Sequence, residues 1–311
     1  MIRTEGLTRK FGSLVAVDDL NIHIKEGDVY GFLGPNGAGK STTIRMLSTL
    51  IKPTSGTACI MGYDIYKEPN NARRAIGIMP ERPGFYEEMS GRKQLRFYGE
   101  FYKIPRPKLE ARIEELMARV GMMRFIDANI KTYSHGMRKR LAIAQALLHD
   151  PKILILDEPS TGLDPKGVQE FRALIKGLNS EGYTMFLSSH VLPEIQQVCD
   201  RVGILRRGKL VAEDTIENLR EQLISRSVDR VSIVATGFNE EHVNRIRALE
   251  AVRSADPVGW GIMVLAEPRS YVTADVNDIL VRGGARITSM TTMEPTLEDV
   301  FLDITGGEGD V

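Results

Sequence analysis

The chain has 311 residues, of which 42% are hydrophobic and 26% charged, as in a folded globular protein with one large or two smaller domains. Basic and acidic residues are equal at 41 each, so the overall charge gives no reason to expect nucleic acid or an acidic membrane surface as a partner. The charge is uneven along the chain, however. Residues 225–311 carry eight arginines, no lysine and fourteen acidic residues, a net charge of −6 that predicts a second module.

Cysteine usage and hydropathy predict the cellular compartment. Cys59 and Cys199 lie far apart and match no metal-ligand spacing, so we expect buried thiols in a reducing environment. No run approaches the roughly 18 apolar residues of a membrane-spanning helix. The first residues lead into a predicted strand without a signal-peptide pattern. We therefore expect a cytoplasmic protein that reaches a membrane only through a partner.

Residues 34–41 are the most informative segment, because they fit the pattern G-x-x-x-x-G-K-[ST] at every fixed position between a predicted strand (28–33) and a predicted helix (41–47). Such a loop turns its backbone N–H groups toward phosphate oxygens, while Lys40 reaches the β- and γ-phosphates and the Ser41 hydroxyl binds Mg²⁺. We predict nucleoside triphosphate binding over the alternative, a glycine-rich turn without a ligand. The assigned nucleotide-binding residues here are Gly34, Pro35, Asn36, Gly37, Ala38, Gly39, Lys40, Ser41 and Thr42.

The next predicted elements are helices, within an insertion at about residues 87–150. A Pro-Gly loop covers residues 82–86, and Ser90 is the expected cap of a helix reaching residue 102. Pro105 and Pro107 are expected to separate it from a second helix over residues 108–120. Ser134 is a plausible cap of a third helix, which has apolar residues at helical spacing up to Leu148.

Residues 152–156 form a short, continuously apolar run that is typical of a buried strand in a parallel sheet. Asp157 and Glu158 follow it, at the end of the strand where open α/β sheets bind ligands. We interpret Asp157 as a Mg²⁺ ligand and Glu158 as the group that polarises an attacking water. Two solvated acids at a strand end are the alternative for this segment taken alone.

Beyond residue 220 the pattern predicts a small α+β domain. Strands are expected at 230–236, 251–256, 260–265 and 285–292, with helices from Asn239 to about 250 and from Ser270 to about 282. The order βαββαβ predicts a ferredoxin-like split arrangement. Trp260 is expected in its core, and a last helix is predicted over residues 294–304 with Pro295 in its first turn.

Taken in order, these motifs resemble those of the ATP-binding subunit of an ABC transporter over about residues 1–220. The resemblance implies an α/β fold with a RecA-like P-loop NTPase core, an antiparallel β subdomain and the helical insertion. It implies that Phe11 stacks on adenine, that Val17 contributes to nucleotide binding and that His190 contacts the γ-phosphate. Residues 133–137 occupy the family's signature motif, whose binding residues are Ser134, Gly136 and Met137, and residues 160–164 match the segment that runs along a partner subunit.

The resemblance also implies partners and a mechanism. Two ATP-binding domains, from a homodimer or a paralogous ATPase subunit, would hold ATP and Mg²⁺ head to tail between the phosphate loop of one and the signature helix of the other. Glu158, His190 and Lys40 would be catalytic, and integral membrane permease subunits would place the protein on the inner face of the cell membrane. The Leu-Glu-Asp-Val-Phe run at residues 297–301 resembles the C-terminal extension of the drug- and sodium-export branch, which favours export. For residues 221–311 a dimer-stabilising or regulatory role is preferred to a small-molecule sensor.

Two positions depart from the family pattern. His135 stands where glycine is usual in the signature, and we expect its side chain to turn outward; the alternative is that it adds a donor to the phosphate or a pH-dependent charge. Glu81 replaces the usual glutamine as a ligand of Mg²⁺, as is common in the export branch. Phe85, Tyr86 and the start of the following helix are the candidate docking surface for the permease, with local packing as the alternative.

Other classes of ATPase fit less well. A DNA-repair or chromosome-organising relative would carry long heptad repeats, and a translation-factor relative would carry two phosphate loops. A P-loop kinase would have no reason to contain the signature. An ATP-gated switch that hydrolyses slowly remains the alternative function.

Overall fold

The computed structural model describes residues 1–219, 221, 229–267 and 270–293. They belong to two units, Met1–Ile216 and Glu217–Val311, each with its own cluster of buried apolar side chains. In the first unit the elements are β1 (Ile2–Phe11), β2 (Leu14–Leu20), β3 (His23–Ile24), β4 (Val29–Leu33), α1 (Lys40–Leu47), β5 (Ser55–Ile60), β6 (Tyr63–Asp64), α2 (Pro69–Ala75), β7 (Ile76–Met79), α3 (Gly91–Phe101), α4 (Arg106–Arg119), α5 (His135–Ala146), β8 (Ile153–Asp157), α6 (Pro165–Ser180), β9 (Thr184–Ser189), α7 (Leu192–Gln196), β10 (Arg201–Arg206) and β11 (Lys209–Thr215).

A six-stranded sheet forms the centre of this unit, in the order β11-β10-β4-β9-β8-β7. Its strands are parallel except for β11, which pairs antiparallel with β10. β4, β8 and β9 are buried along their whole length, which explains the continuously apolar runs of β4 and of residues 153–156 in β8. The phosphate loop, Glu81, Glu158 and His190 all follow the carboxyl ends of adjacent strands, so the sheet brings them to one edge.

A second, antiparallel sheet has the order β2-β1-β5-β6, with β3 also paired to β1. Phe11 is the last residue of β1, and Leu14 opens β2 immediately after the turn. This hairpin end is the part of the antiparallel sheet that contributes to the candidate site.

Helices α3, α4 and α5 follow one another between β7 and β8, as the sequence predicts. The expected caps are confirmed: the Ser90 hydroxyl accepts the Lys93 N–H at 3.3 Å, and the Ser134 hydroxyl accepts the Met137 N–H at 3.3 Å. α4 begins at Arg106, two residues before the predicted start. Pro107 lies inside its first turn, because a helix needs no backbone donor there.

The second unit contains β12 (Asp229–Thr236), α8 (Glu240–Arg247), β13 (Val252–Val258), β14 (Gly261–Ala266), α9 (Thr273–Arg282) and β15 (Arg286–Met293). Its antiparallel strands have the order β13-β14-β12-β15, which is the order of a ferredoxin-like split unit. Asn239 caps α8, and its side chain and that of His242 form a reciprocal capping box. The helix predicted at residues 294–304 lies outside the described residues.

Three sequence expectations were wrong in this description. Trp260 is 49% exposed, because it lies in the short turn between β13 and β14 rather than in the core. Ser270 does not begin α9, whose N-cap is Val272. Cys59 is only half-buried, whereas Cys199 is buried as expected and its burial raises the pKa of its thiol. Within the described ranges no helix has the length and apolar character needed to cross a membrane.

Candidate nucleotide site

The phosphate loop connects β4 to α1 and depends on its glycines. Gly37 and Gly39 have φ angles of +80° and +111°, a region that other residues rarely adopt. A Cβ atom on Gly39 would lie 2.4 Å from the Ala16 carbonyl oxygen, and one on Gly34 would lie 2.5 Å from the Leu205 carbonyl oxygen. The loop is therefore held against its neighbours by close backbone approach, which leaves no room for larger residues at these two positions.

Lys40 is buried at the start of α1 and directs its ammonium group into the loop. Its Nζ donates to the carbonyl oxygens of Gly34 at 2.6 Å and Pro35 at 3.2 Å. The same Nζ lies 3.2 Å from Oε1 of Glu158, in an ion pair whose two side chains are 6% and 10% exposed. The sequence-predicted phosphate ligand and the sequence-predicted base are thus in direct contact.

Glu158 is held from several sides. Its other carboxylate oxygen, Oε2, lies 2.8 Å from Nδ1 of His190. Its backbone N–H donates to the Ser188 hydroxyl at 3.0 Å. Its φ angle is +46°, a conformation that is costly for a residue with a side chain and that persists only when the surroundings impose it.

Asp157 is the last residue of β8 and is 7% exposed. Its Oδ1 accepts the Ser188 hydroxyl at 2.6 Å. Burial raises the pKa of its carboxyl above the usual value, while the Ser188 hydrogen bond acts in the opposite direction. A divalent cation beside it would favour the charged form.

Three oxygen-bearing residues were expected to bind Mg²⁺: Ser41, Glu81 and Asp157. Ser41 and Glu81 line one cleft with Glu158, and Asp157 lies next to Glu158 in the chain. Among the described residues, no group of three or more His, Cys, Asp or Glu side chains forms a metal cage. This donor set fits Mg²⁺, which proteins commonly bind through one or two carboxylates together with substrate phosphates.

The cleft has a volume of about 840 Å³ and collects most of the predicted site. Phe11 lies on its wall, 45% exposed, with the Arg9 guanidinium 4.4 Å from the centre of its ring. Val17, by contrast, is fully buried beneath the loop and does not line the cleft. Its neighbours Leu14, Val15 and Ala16 line the cleft instead. The predicted residues on the wall are Phe11, Pro35, Asn36, Gly37, Gly39, Lys40, Ser41, Thr42, Glu81, Glu158 and His190.

The signature residues lie elsewhere. Ser134, Gly136 and Met137, at the N-terminus of α5, line a different cavity of about 1050 Å³ between α4, α5 and α6. His135 is exposed, but the expected outward orientation of its side chain is wrong. Its Nε2 lies 3.0 Å from the Thr161 carbonyl oxygen. Its ring also packs over Gly162, where a Cβ atom would be 2.9 Å from Nε2. One chain therefore does not bring its own signature helix to its own phosphate loop.

Several residues of the site were not predicted from the sequence. Thr161 and Arg207 line the cleft, Ser188 connects Asp157 to Glu158, and Lys139 contacts the backbone of Glu158. Ser188 could have been predicted from the sequence, since it lies two residues before His190. The positions of Lys139 and Arg207 at the site depend on tertiary contacts, which no local sequence motif predicts.

The parallel sheet, the glycine loop with its lysine, and the acidic residues after β8 define a P-loop nucleoside triphosphatase. Comparison with known proteins is more specific. The sequence profile described as ABC transporter matches residues 17–161. The bacitracin transport ATP-binding protein BcrA of Bacillus licheniformis is 38% identical over 99% of this chain and 98% of its own length. The chain therefore belongs to the ABC transporter family, as an ATP-binding subunit and an ATPase.

Two further similarities agree. The daunorubicin/doxorubicin resistance ATP-binding protein DrrA of Streptomyces peucetius is 35% identical over 99% of this chain and 93% of its own length. The dimeric, post-hydrolysis structure of the ATP-binding cassette MJ0796 with ADP and Pi has a TM-score of 0.63 and 25% identity, and it covers 70% of this chain and 99% of that cassette. The structural likeness therefore extends over the cassette portion of the chain.

Proposed function

We propose that this chain is the motor subunit of an ABC exporter, and that it works as a head-to-tail dimer which drives a separate integral membrane permease. The observation that carries the proposal is the separation of the signature residues from the nucleotide cleft. A second subunit supplies the missing side, because the N-terminus of α5 offers backbone N–H groups and a hydroxyl to an anion. Export is supported by the relatives, which are named for bacitracin transport and for daunorubicin and doxorubicin resistance.

In this proposal the cleft residues divide the chemistry of ATP hydrolysis. Phe11 stacks on the adenine, and the loop N–H groups and Lys40 hold the phosphates. Ser41, Asp157 and Glu81 hold Mg²⁺, which neutralises charge on the phosphate oxygens. Glu158 accepts a proton from the attacking water, and His190 orients the Glu158 carboxylate and contacts the γ-phosphate. Lys40 exchanges its Glu158 partner for phosphate oxygens as ATP enters.

The sequence predicts the permease contact at Phe85, Tyr86 and the start of the following helix. The contact proposed from the structure keeps Tyr86 but adds Phe97, Tyr98 and Phe101 from the second half of α3, which form an aromatic patch with it. Phe97 lies at its centre, with ring centroids 5.2 Å from Tyr86, 5.6 Å from Tyr98 and 5.1 Å from Phe101. Tyr86 and Phe101 are 50% and 68% exposed. Local packing under the loop, the alternative explanation, would bury such rings, so their exposure together supports a docking surface. Phe85 is half-buried and makes none of the ring contacts that define this patch. Docking there would hold the subunit peripherally on the inner face of the cell membrane.

The proposed arrangement predicts the behaviour of the variant Glu158→Gln. Glutamine cannot act as the base, so the variant should bind ATP, hydrolyse it only at a low residual rate and accumulate an ATP-bound dimer. The measurement is size-exclusion chromatography with light scattering, with and without ATP and Mg²⁺. The double variant Lys40→Ala, Glu158→Gln is the control and should stay monomeric, because it lacks the phosphate ligand.

Each result has a distinct meaning. A shift from monomer to dimer that requires ATP supports the two-subunit site. A dimer under all conditions indicates that residues 217–311 hold the subunits together, which is their proposed role. A monomer under all conditions favours the slow ATP-gated switch. Hydrolysis by Glu158→Gln at the wild-type rate would show that Glu158 is not the base.

A further inference from the structure

Helix α5 carries a buried lysine that the proposed mechanism does not use. Lys139 is 2% exposed and lies five residues after Ser134 on the same helix. Burial lowers the pKa of its ammonium group, although the carboxylates of Glu81, Asp157 and Glu158 act in the opposite direction. A charged group is costly to remove from water unless it is well paired and hydrogen-bonded, so its contacts need an explanation.

Those contacts are with two backbone segments of the nucleotide site. The Lys139 Nζ donates to the carbonyl oxygen of Glu158 at 3.0 Å and to the carbonyl oxygen of Glu81 at 3.1 Å. Glu158 follows β8, and Glu81 follows the neighbouring strand β7. One ammonium group therefore connects the signature helix to the base and to a proposed Mg²⁺ ligand.

The bond to Glu158 falls where the backbone is strained. With a φ angle of +46°, Glu158 would relax to a commoner conformation unless its peptide groups were held. Ser188 holds its N–H and Lys139 holds its carbonyl oxygen. Hydrogen bonds from a charged donor are roughly twice as strong as neutral ones, so the lysine contact is suited to fixing this peptide.

A second contact from the same side of α5 reaches the same loop. His135 and Lys139 are four residues apart and therefore share one face of the helix. The His135 ring lies 3.0 Å from the Thr161 carbonyl oxygen, three residues beyond Glu158. This face of α5 thus contacts the loop after β8 at both ends of the segment 158–161.

We propose that Lys139 is a positioning residue for ATP hydrolysis: its ammonium group fixes the Glu158 peptide so that the carboxylate points at the attacking water. The proposal rests on the proposed function of Glu158 as the base. The same helix offers Ser134 to the ATP of the opposite subunit, so α5 also connects one ATP site of a dimer to the base of the other.

The test compares Lys139→Met, which keeps the length of the side chain and removes the ammonium group, with Lys139→Arg, which keeps a charged donor. We expect Lys139→Met to lower kcat by about ten- to hundredfold with a KM for ATP within about twofold of wild type. Lys139→Arg should recover part of the loss. Lys152→Met is the matched control, because Lys152 is exposed and lies just before the start of β8, away from Glu158. The kcat of this variant should equal that of wild type.

A double-variant cycle separates positioning from general damage. If Lys139 acts through Glu158, Lys139→Met should reduce the residual activity of Glu158→Gln by less than about twofold. Losses that multiply, or a Lys139→Met enzyme with the wild-type kcat, would overturn the inference. If Lys139→Met does not fold, Lys139→Gln takes its place, since its side chain is polar but shorter and carries no charged donor; a wild-type kcat in that variant also overturns the inference. Failure of the wild-type chain to bind and hydrolyse ATP would instead refute the proposed function.

Discussion

At the scale of single residues, Glu158 is the most constrained group in the molecule's site. Its N–H, its carbonyl oxygen and both carboxylate oxygens contact five different side chains, those of Ser188, Lys139, Lys40, His190 and Thr161. These come from β9, α5, α1, the residue after β9 and the loop after β8. The proposed base is therefore positioned by side chains from several separate elements and not by its own strand alone.

Asp157 illustrates how a site can cost stability. Because burial raises the pKa of its carboxyl, the folded chain binds this proton more tightly than the unfolded chain does, where the pKa is about 3.9. The free energy of unfolding therefore falls as pH rises between the unfolded and the folded pKa, and the full cost is present at neutral pH. The charge is retained because the proposed Mg²⁺ site needs it.

We therefore expect Asp157→Asn to raise the thermal midpoint of the nucleotide-free protein at pH 7–8 and to lower the ATPase rate by at least about a hundredfold. The Asn side-chain oxygen can still accept the Ser188 hydroxyl. The stability gain should shrink as the pH falls through the raised pKa of the folded wild-type carboxyl, because the wild-type side chain then becomes neutral as well. Melting curves over this pH range test the prediction, and a lower midpoint at neutral pH would contradict it.

At the scale of elements, α5 and α3 begin in the same way but are expected to do different work. Ser134 and Ser90 each accept a backbone N–H three residues later at 3.3 Å. Only the N-terminus of α5 lines the large cavity beside α6. The two caps therefore form a natural pair for separating helix stability from catalysis.

Ser134→Ala and Ser90→Ala should each cost about 1 kcal/mol of stability, because each helix loses its cap. Only Ser134→Ala should lower the ATPase rate, by about tenfold, since its hydroxyl faces the ATP of the opposite subunit in the proposed dimer. ATP affinity of the monomer should be unchanged in both. Titration of ATP into each monomer and steady-state ATPase assays make the comparison, and a matching loss of monomer affinity in Ser134→Ala would argue against the two-subunit site.

Many helices and strands of the first unit could be predicted from the sequence, because the apolar runs and capping residues that indicate them are local. The apolar runs of β4 and β8 identify buried parallel strands, and Ser90 and Ser134 identify helix starts. Val17 and Lys139 were not predictable in the same way. Which side of β2 faces the cleft, and what a helical lysine meets, depend on how separate elements pack.

At the scale of the whole molecule, each of the two units has buried apolar side chains that cluster among the described residues of that unit. The cassette relative covers only the first part of the chain, whereas BcrA and DrrA extend over nearly all of it. The negative charge of residues 225–311 also distinguishes the second unit in composition. These observations favour a first unit that is stable without the second.

A fragment of residues 1–219 should accordingly unfold cooperatively and should be stabilised by ATP and Mg²⁺, because ligand binding to the folded state raises the thermal midpoint. The same fragment with Glu158→Gln should still dimerise with ATP, though at a higher protein concentration if the second unit stabilises the dimer. Calorimetry and light scattering provide the two readouts. An insoluble or unfolded fragment would show that the first unit depends on the second.

The partners of the Glu158 carboxylate also affect when it is available to accept a proton. Lys40 contacts one carboxylate oxygen, whereas His190 and the Thr161 hydroxyl contact the other, so an attacking water would have to share an oxygen that already has a partner. In the proposed mechanism the phosphates of ATP would compete for Lys40 and so release Oε1 of Glu158 from its ion pair. The proposed base would then be most available to a water when the cleft holds ATP.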